Sequence, residues 1–156
     1  MERYEEKFQQ QESSERRQLR ELESTGLYVF HGTNVDAHEL QPRQAVDSIT
    51  GPDDKPSIHA SQVADYAIFM AVAAPLGHTR SGATVSDGVL GPMMDFGVSK
   101  SVMDSLIDET SGWVYVFNKK EFRQRRPVEW ICNEPVKPVF KIQVYKRDLP
   151  KNIEVL

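Results

Sequence analysis

Cysteine is nearly absent. The one residue, Cys132, has no partner in the chain for a disulfide and no thiol companions for a zinc site, so nothing demands an oxidising compartment. Long apolar runs are lacking as well. No stretch approaches the ~20 residues of a membrane span, and Met1-Glu2-Arg3-Tyr4-Glu5-Glu6-Lys7 lacks the basic-then-apolar order of a secretion signal. The expectation is a cytoplasmic protein with no membrane partner, and delivery as a toxin or effector by another route stays open. Positive charge is also short. A formal net charge of −4 supplies no bulk field toward phosphate backbones or anionic lipid. The local cluster Lys119, Lys120, Arg123, Arg125 and Arg126 reads either as a solvated loop or as an anion contact. Repeats and low-complexity runs are missing too.

What is present suits one globular domain. The 156 residues are 39% hydrophobic, enough for one modest core and too apolar for a disordered chain. Residues 1–24 are rich in Glu, Gln, Arg and Lys, and pair charges at helical spacing, as in Glu12 with Arg16. They predict a polar helix whose sparse apolar residues, Tyr4, Phe8, Leu19 and Leu22, leave it on the surface, docked on a short edge or offered to a partner. Ser24-Thr25-Gly26 breaks it. Leu27 to Phe30 then reads as a central strand ending at Phe30 and running into a His31-Gly32-Thr33 turn.

Beyond that turn, Asn34 to Leu40 reads as a short helix or turn and residues 47–56 as loop. Ser57 to Ser61 predicts a short strand, and Gln62 to Ala74 an apolar helix closed by Pro75. Residues 76–97, rich in Gly, Ser and Thr, read as one long loop, a lid candidate. Ser99 to Thr110 predicts a helix capped by Ser99. Trp113 to Phe117, Val128 to Cys132 and Val139 to Tyr145 read as strands. Helices mix with strands early and strands dominate late, which points to an α+β domain.

Few residues could carry chemistry. His31 at a strand end can hold a ligand hydroxyl, and Gly32 lets a ligand approach the backbone; a satisfied histidine beside a turn that needs glycine fits the same residues. Tyr66 could stack on a flat heterocycle or simply fill the core. Glu129 interrupts an apolar run, facing either a site or, by strand alternation, solvent.

In this order, strand-His31-Gly32-Thr33, strand-Ala60-Ser61 with a helix bearing Tyr66, and Pro127-Val128-Glu129-Trp130-Ile131, the chain resembles the ADP-ribosyltransferase family, in its diphtheria-toxin and poly(ADP-ribose) polymerase branch with the His-Tyr-Glu triad. The resemblance covers roughly residues 27–145. It implies a split β-sheet core with flanking helices over residues 27–156, preceded by the polar helical extension of residues 1–26. It further implies a mono-ADP-ribosyltransferase that uses NAD as substrate without a metal and passes ADP-ribose to a macromolecular acceptor, protein or nucleic acid. His31 would bond the adenine-side ribose, Gly32 with the adjoining Thr33 would hold the nicotinamide side through the backbone, and Tyr66 would stack on nicotinamide. Glu129 would bond the ribose 2′-hydroxyl and stabilise positive charge as the glycosidic bond breaks.

Departures from the family pattern shape the expectation. His59 stands where a second stacking aromatic is usual, Val63 replaces a carboxamide-binding Ser that Ser61 would have to stand in for, and Arg43 would reach the pyrophosphate. Pro127 two residues before Glu129 removes the Glu-x-Glu of arginine-modifying relatives. An NAD glycohydrolase and a non-catalytic nucleotide- or partner-binding module remain as alternatives. RNA 2′-phosphotransfer, which needs several basic residues around a phosphate, fits the acidic balance poorly.

Overall fold

The computed structural model describes residues 12–43, 55–84 and 93–156, and the fold is mixed α+β. Helix α1 (Ser14–Ser24) begins where the Ser13 hydroxyl accepts the Arg16 N–H and ends before Gly26, whose φ of 70° suits glycine. It does more than lie on the surface. Leu19 is fully buried in the main core. Arg16 forks onto Asp65 with two 2.9 Å bonds, and the Glu23 carboxylate accepts the Ala64 N–H at 2.5 Å. The last contact matters because helix α2 (Ala64–Val72) starts after Val63, which has no side chain to cap it. Part of the predicted N-terminal helix, residues 1–11, lies outside the described residues.

Among the described residues, nine strands form three small sheets. The first has the order β1 (Tyr28–Thr33), β5 (Ser111–Asn118), β8 (Phe140–Tyr145), antiparallel throughout. Its centre is β5, so the strand expected to be central, β1, is an outer one and continues through His31 to Thr33. The second sheet runs β2 (Ile58–Ala60), β7 (Glu129–Cys132), β6 (Arg123–Arg126), and a bridge from Phe30 to Ser61 ties it to β1. The third runs β3 (Thr79–Thr84), β4 (Met93–Val98), β9 (Ile153–Val155).

Strand alternation explains the layering. On β5, Val114 and Val116 face α2 and α1, while Tyr115 and Phe117 face Ile58, Ala60 and Cys132 of the second sheet. Both faces of the first sheet are thus covered. Helix α2 is apolar nearly all round because it is covered as well. Ala67, Ile68 and Ala71 meet the first sheet, and Phe69 meets Phe96 of the third at 4.8 Å between ring centroids.

Several expectations need correction. Much of the stretch 76–97 is a hairpin: β3 pairs with β4 from Thr79 opposite Val98 to Thr84 opposite Met93. Residues 85–92 between these strands lie outside the described residues, as do 47–54 of the predicted loop at 47–56. Exposed Thr-Arg-Ser-Gly-Ala-Thr carries no apolar alternation of its own, and it becomes a strand by pairing with β4, whose Met94, Phe96 and Val98 are buried. Helix α3 (Lys100–Ser105) has the expected Ser99 cap but stops well short of Thr110. Leu106 turns extended, and the Thr110 hydroxyl takes the Ile107 N–H. The basic stretch at 123–126, read as loop, is the edge strand β6.

The hydroxyl of Tyr115 pins the segment after β1, donating to the Val35 carbonyl (2.7 Å) and accepting from the Ala37 N–H (2.6 Å). Tyr115→Phe leaves both backbone groups without this partner. The expected cost is about 2 kcal/mol, a fall in Tm of roughly 4–8 °C by thermal denaturation; an unchanged Tm would mean the segment is held by other contacts.

Candidate functional site

His31, Gly32, Tyr66 and Glu129 line one cavity of about 440 Å³. Three elements far apart in sequence supply them: β1, the first turn of α2, and the start of β7. A second cavity, about 450 Å³, shares His31, Gly32 and His59 with the first and adds Thr33 and Arg43. Each lies within the size range of small-ligand pockets.

Alternation along β1 sends His31 and Gly32 to opposite faces. His31 lies opposite Tyr115 on β5, edge-on to its ring at 6.3 Å, and its Nδ1–H donates to the His59 carbonyl at 2.5 Å. That bond leaves the ring lone pair on Nε2. Gly32 turns toward α2, where a Cβ would run into the Ala67 carbonyl and come within 2.9 Å of the Ala71 nitrogen. Helix packing alone therefore requires glycine here, and the same lack of a side chain opens the backbone to both cavities.

Glu129 is placed by a turn and a bulge. Arg126 faces Glu129 across the Pro127-Val128 turn, and the register shifts between Gln124 and Arg126. Gln62 secures the turn, donating to the Pro127 carbonyl (2.7 Å) and accepting from Trp130 Nε1 (3.1 Å). Arg126 thereby comes to 3.3 Å and Arg125 to 3.8 Å from the Glu129 carboxylate. From the other side, His59 Nδ1 donates to Glu129 Oε1 at 3.0 Å. The β2–β7 register sets Ile131 opposite His59, which makes Glu129 its diagonal neighbour, within reach of a long side chain. Of the two readings of Glu129, the inward one holds: its side chain is 19% exposed and lines the cavity.

Tyr66 lines the first cavity while packing partly on the third sheet. Arg43 lines the second, exposed, its backbone anchored by paired bonds to Ser57. His59 lines both cavities, but its Nδ1 is committed to Glu129, a role different from a stacking wall. Ser61 is not brought to either cavity; it is buried and its hydroxyl accepts the Val63 N–H. Val63 packs against the third core cluster. Arg126 escaped the sequence reading because it sat in what looked like a solvated basic run. Its spacing of three from Glu129 across a proline turn was the available signal. Ser81 and Gly82 of the β3–β4 hairpin also border the first cavity. Among the described residues, no cluster of three His, Cys, Asp or Glu could hold a metal, and no helix is long and apolar enough to cross a membrane.

Burial holds His31 below the ordinary imidazole value of 6.5, with Arg43 and His59 adding to the fall and the bond to the His59 carbonyl opposing it. A depressed folded value stabilises the protein above the unfolded pKa, and that stability is lost as pH falls from about 6.5 through the folded value. Melting curves between pH 8 and 5 should show the loss, and His31→Gln, which keeps a donor for the carbonyl, should remove that component. An unaltered pH dependence in the variant would contradict a buried neutral His31. Compared with family models, curated proteins and solved structures, the chain gives no significant match.

Proposed function

We propose that this protein is an NAD-dependent mono-ADP-ribosyltransferase with an ADP-ribosyltransferase-like fold, cleaving the nicotinamide–ribose bond and passing ADP-ribose to a macromolecular acceptor, protein or nucleic acid, in a cytoplasmic setting. The observation that carries this reading is the meeting of His31, Tyr66 and Glu129 in one cavity, in the order and with the residue types of the His-Tyr-Glu triad. The first cavity would take the nicotinamide and its ribose, with Tyr66 against the ring and Glu129 at the 2′-hydroxyl. The second would take the adenosine side, with His31 at the ribose and Arg43 toward the pyrophosphate. A fixed carboxylate beside the breaking bond favours the positive charge that develops on the ribose.

Incubation of the protein with NAD labelled in the adenine and nicotinamide halves, with and without cell lysate, tests the reading. Free nicotinamide with label on a macromolecule is the expected result, and label only in free ADP-ribose identifies a glycohydrolase. One observation favours a non-catalytic module, the sharing of Glu129 among His59, Arg125 and Arg126. Calorimetric binding of NAD without nicotinamide release would select it.

A further inference from the structure

His59 ties the site together. Its carbonyl accepts from His31, and its ring meets Glu129. A carboxylate only accepts, so Nδ1 carries the proton and the neutral ring keeps its lone pair on Nε2. Nε2 has no hydrogen-bond partner among the described residues, and the side chain, 36% exposed, borders both cavities. An imidazole oriented by a carboxylate at one nitrogen and open at the other is the arrangement of a general base.

We propose, resting on the NAD-cleaving reading above, that His59 takes the proton from the acceptor, and that the acceptor is a neutral hydroxyl, water or an alcohol. The C1′–N bond breaks with its electron pair going to the pyridinium nitrogen, and nicotinamide leaves neutral. A lone pair of the acceptor oxygen forms the C1′–O bond while its proton passes to His59 Nε2. The imidazolium rests against Glu129 and returns the proton to water. An anionic acceptor would have no proton to give up, and the base would be idle. The charged and titratable groups around His59 are Glu129, with Arg125 and Arg126 on the same hairpin as Glu129, His31 on β1, Tyr66 on α2, and Arg43 with Glu39 beside the second cavity.

The test follows nicotinamide release from NAD by the full chain in water and in azide, an anion that attacks C1′ without losing a proton. His59→Gln should slow the reaction with water about 100-fold or more, and azide should restore most of that rate with ADP-ribosyl azide as product. Glu129→Gln should stay slow in both. The wild-type reaction with water should rise with pH, as a step that needs a base does, and the azide reaction should not. A His59→Gln protein that keeps the wild-type rate in water overturns the proposal, as does one that melts like wild type and is not restored by azide. Should that variant fail to fold, identical wild-type pH profiles in water and azide overturn it equally. Absence of nicotinamide release by wild type in either medium removes the NAD reading itself, and the role of His59 with it.

Discussion

Glu129→Gln is expected to lower nicotinamide release from NAD by about 10³-fold while the protein stays folded. The substitution keeps shape and a hydrogen-bond acceptor but removes the negative charge. Loss of one fixed stabilising group at developing charge costs about 10²–10³ in rate, and here a whole charge next to the proposed ribose position is lost. The carboxylate is held on three sides, by His59 at 3.0 Å and by Arg126 and Arg125 at 3.3 and 3.8 Å, so little reorganisation is needed as the bond breaks. Stability should suffer far less. The arginine side chains are 20% and 35% exposed and regain water, which limits the cost to about 1 kcal/mol. Steady-state nicotinamide release together with a melting curve checks both halves. Wild-type turnover in a folded Glu129→Gln protein would refute the role given to Glu129.

Gly112→Ala should be among the most destabilising single-methyl changes in the molecule. Gly112 sits on β5 directly beneath α2, and a Cβ there would lie 2.6 Å from the Ala71 carbonyl carbon and 2.8 Å from its Cβ. Two backbones in regular hydrogen-bonded elements meet at this point, so neither can yield as a flexible side chain would. Overpacking of this kind costs about 3 kcal/mol, a fall in Tm of roughly 6–12 °C. Because α2 also carries Tyr66, its displacement should weaken the proposed NAD binding in the protein that remains folded. Thermal denaturation decides the first point, and a Tm within a degree of wild type would mean that α2 does not rest on β5 this closely.

The strands legible in the sequence were those with dense apolar or alternating residues, β5, β7 and β8, since a buried face imposes that pattern locally. The hairpin β3–β4 and the edge strand β6 were not legible. Thr79–Thr84 and Arg123–Arg126 are largely exposed, and an edge strand is defined by the partner it pairs with more than by its own residues. The end of α3 was misread for a related reason: Ile107 continues the apolar spacing, yet it is 56% exposed, because the Thr110 hydroxyl closes a turn there. The same distinction applies at the site. His31, Gly32, Tyr66 and Glu129 could be singled out from residue type and order, whereas the direction in which Glu129 points could not.

By itself, then, the sequence determined a mixed α+β chain, a strand through Tyr28 to Phe30 though not its continuation to Thr33, the cap at Ser99, and which residues could carry chemistry. Those features follow from local propensity and periodicity, which act over a few residues. Tertiary structure alone decided that Glu129 turns inward, that His59 binds it rather than forming a wall, that Ser61 serves the helix start, and that Arg126 joins the cavity. The placements of Glu129, His59 and Arg126 depend on the register of β2 against β7 and on the bulge in β6. A one-residue slip in that pairing would turn the same side chains to the opposite face.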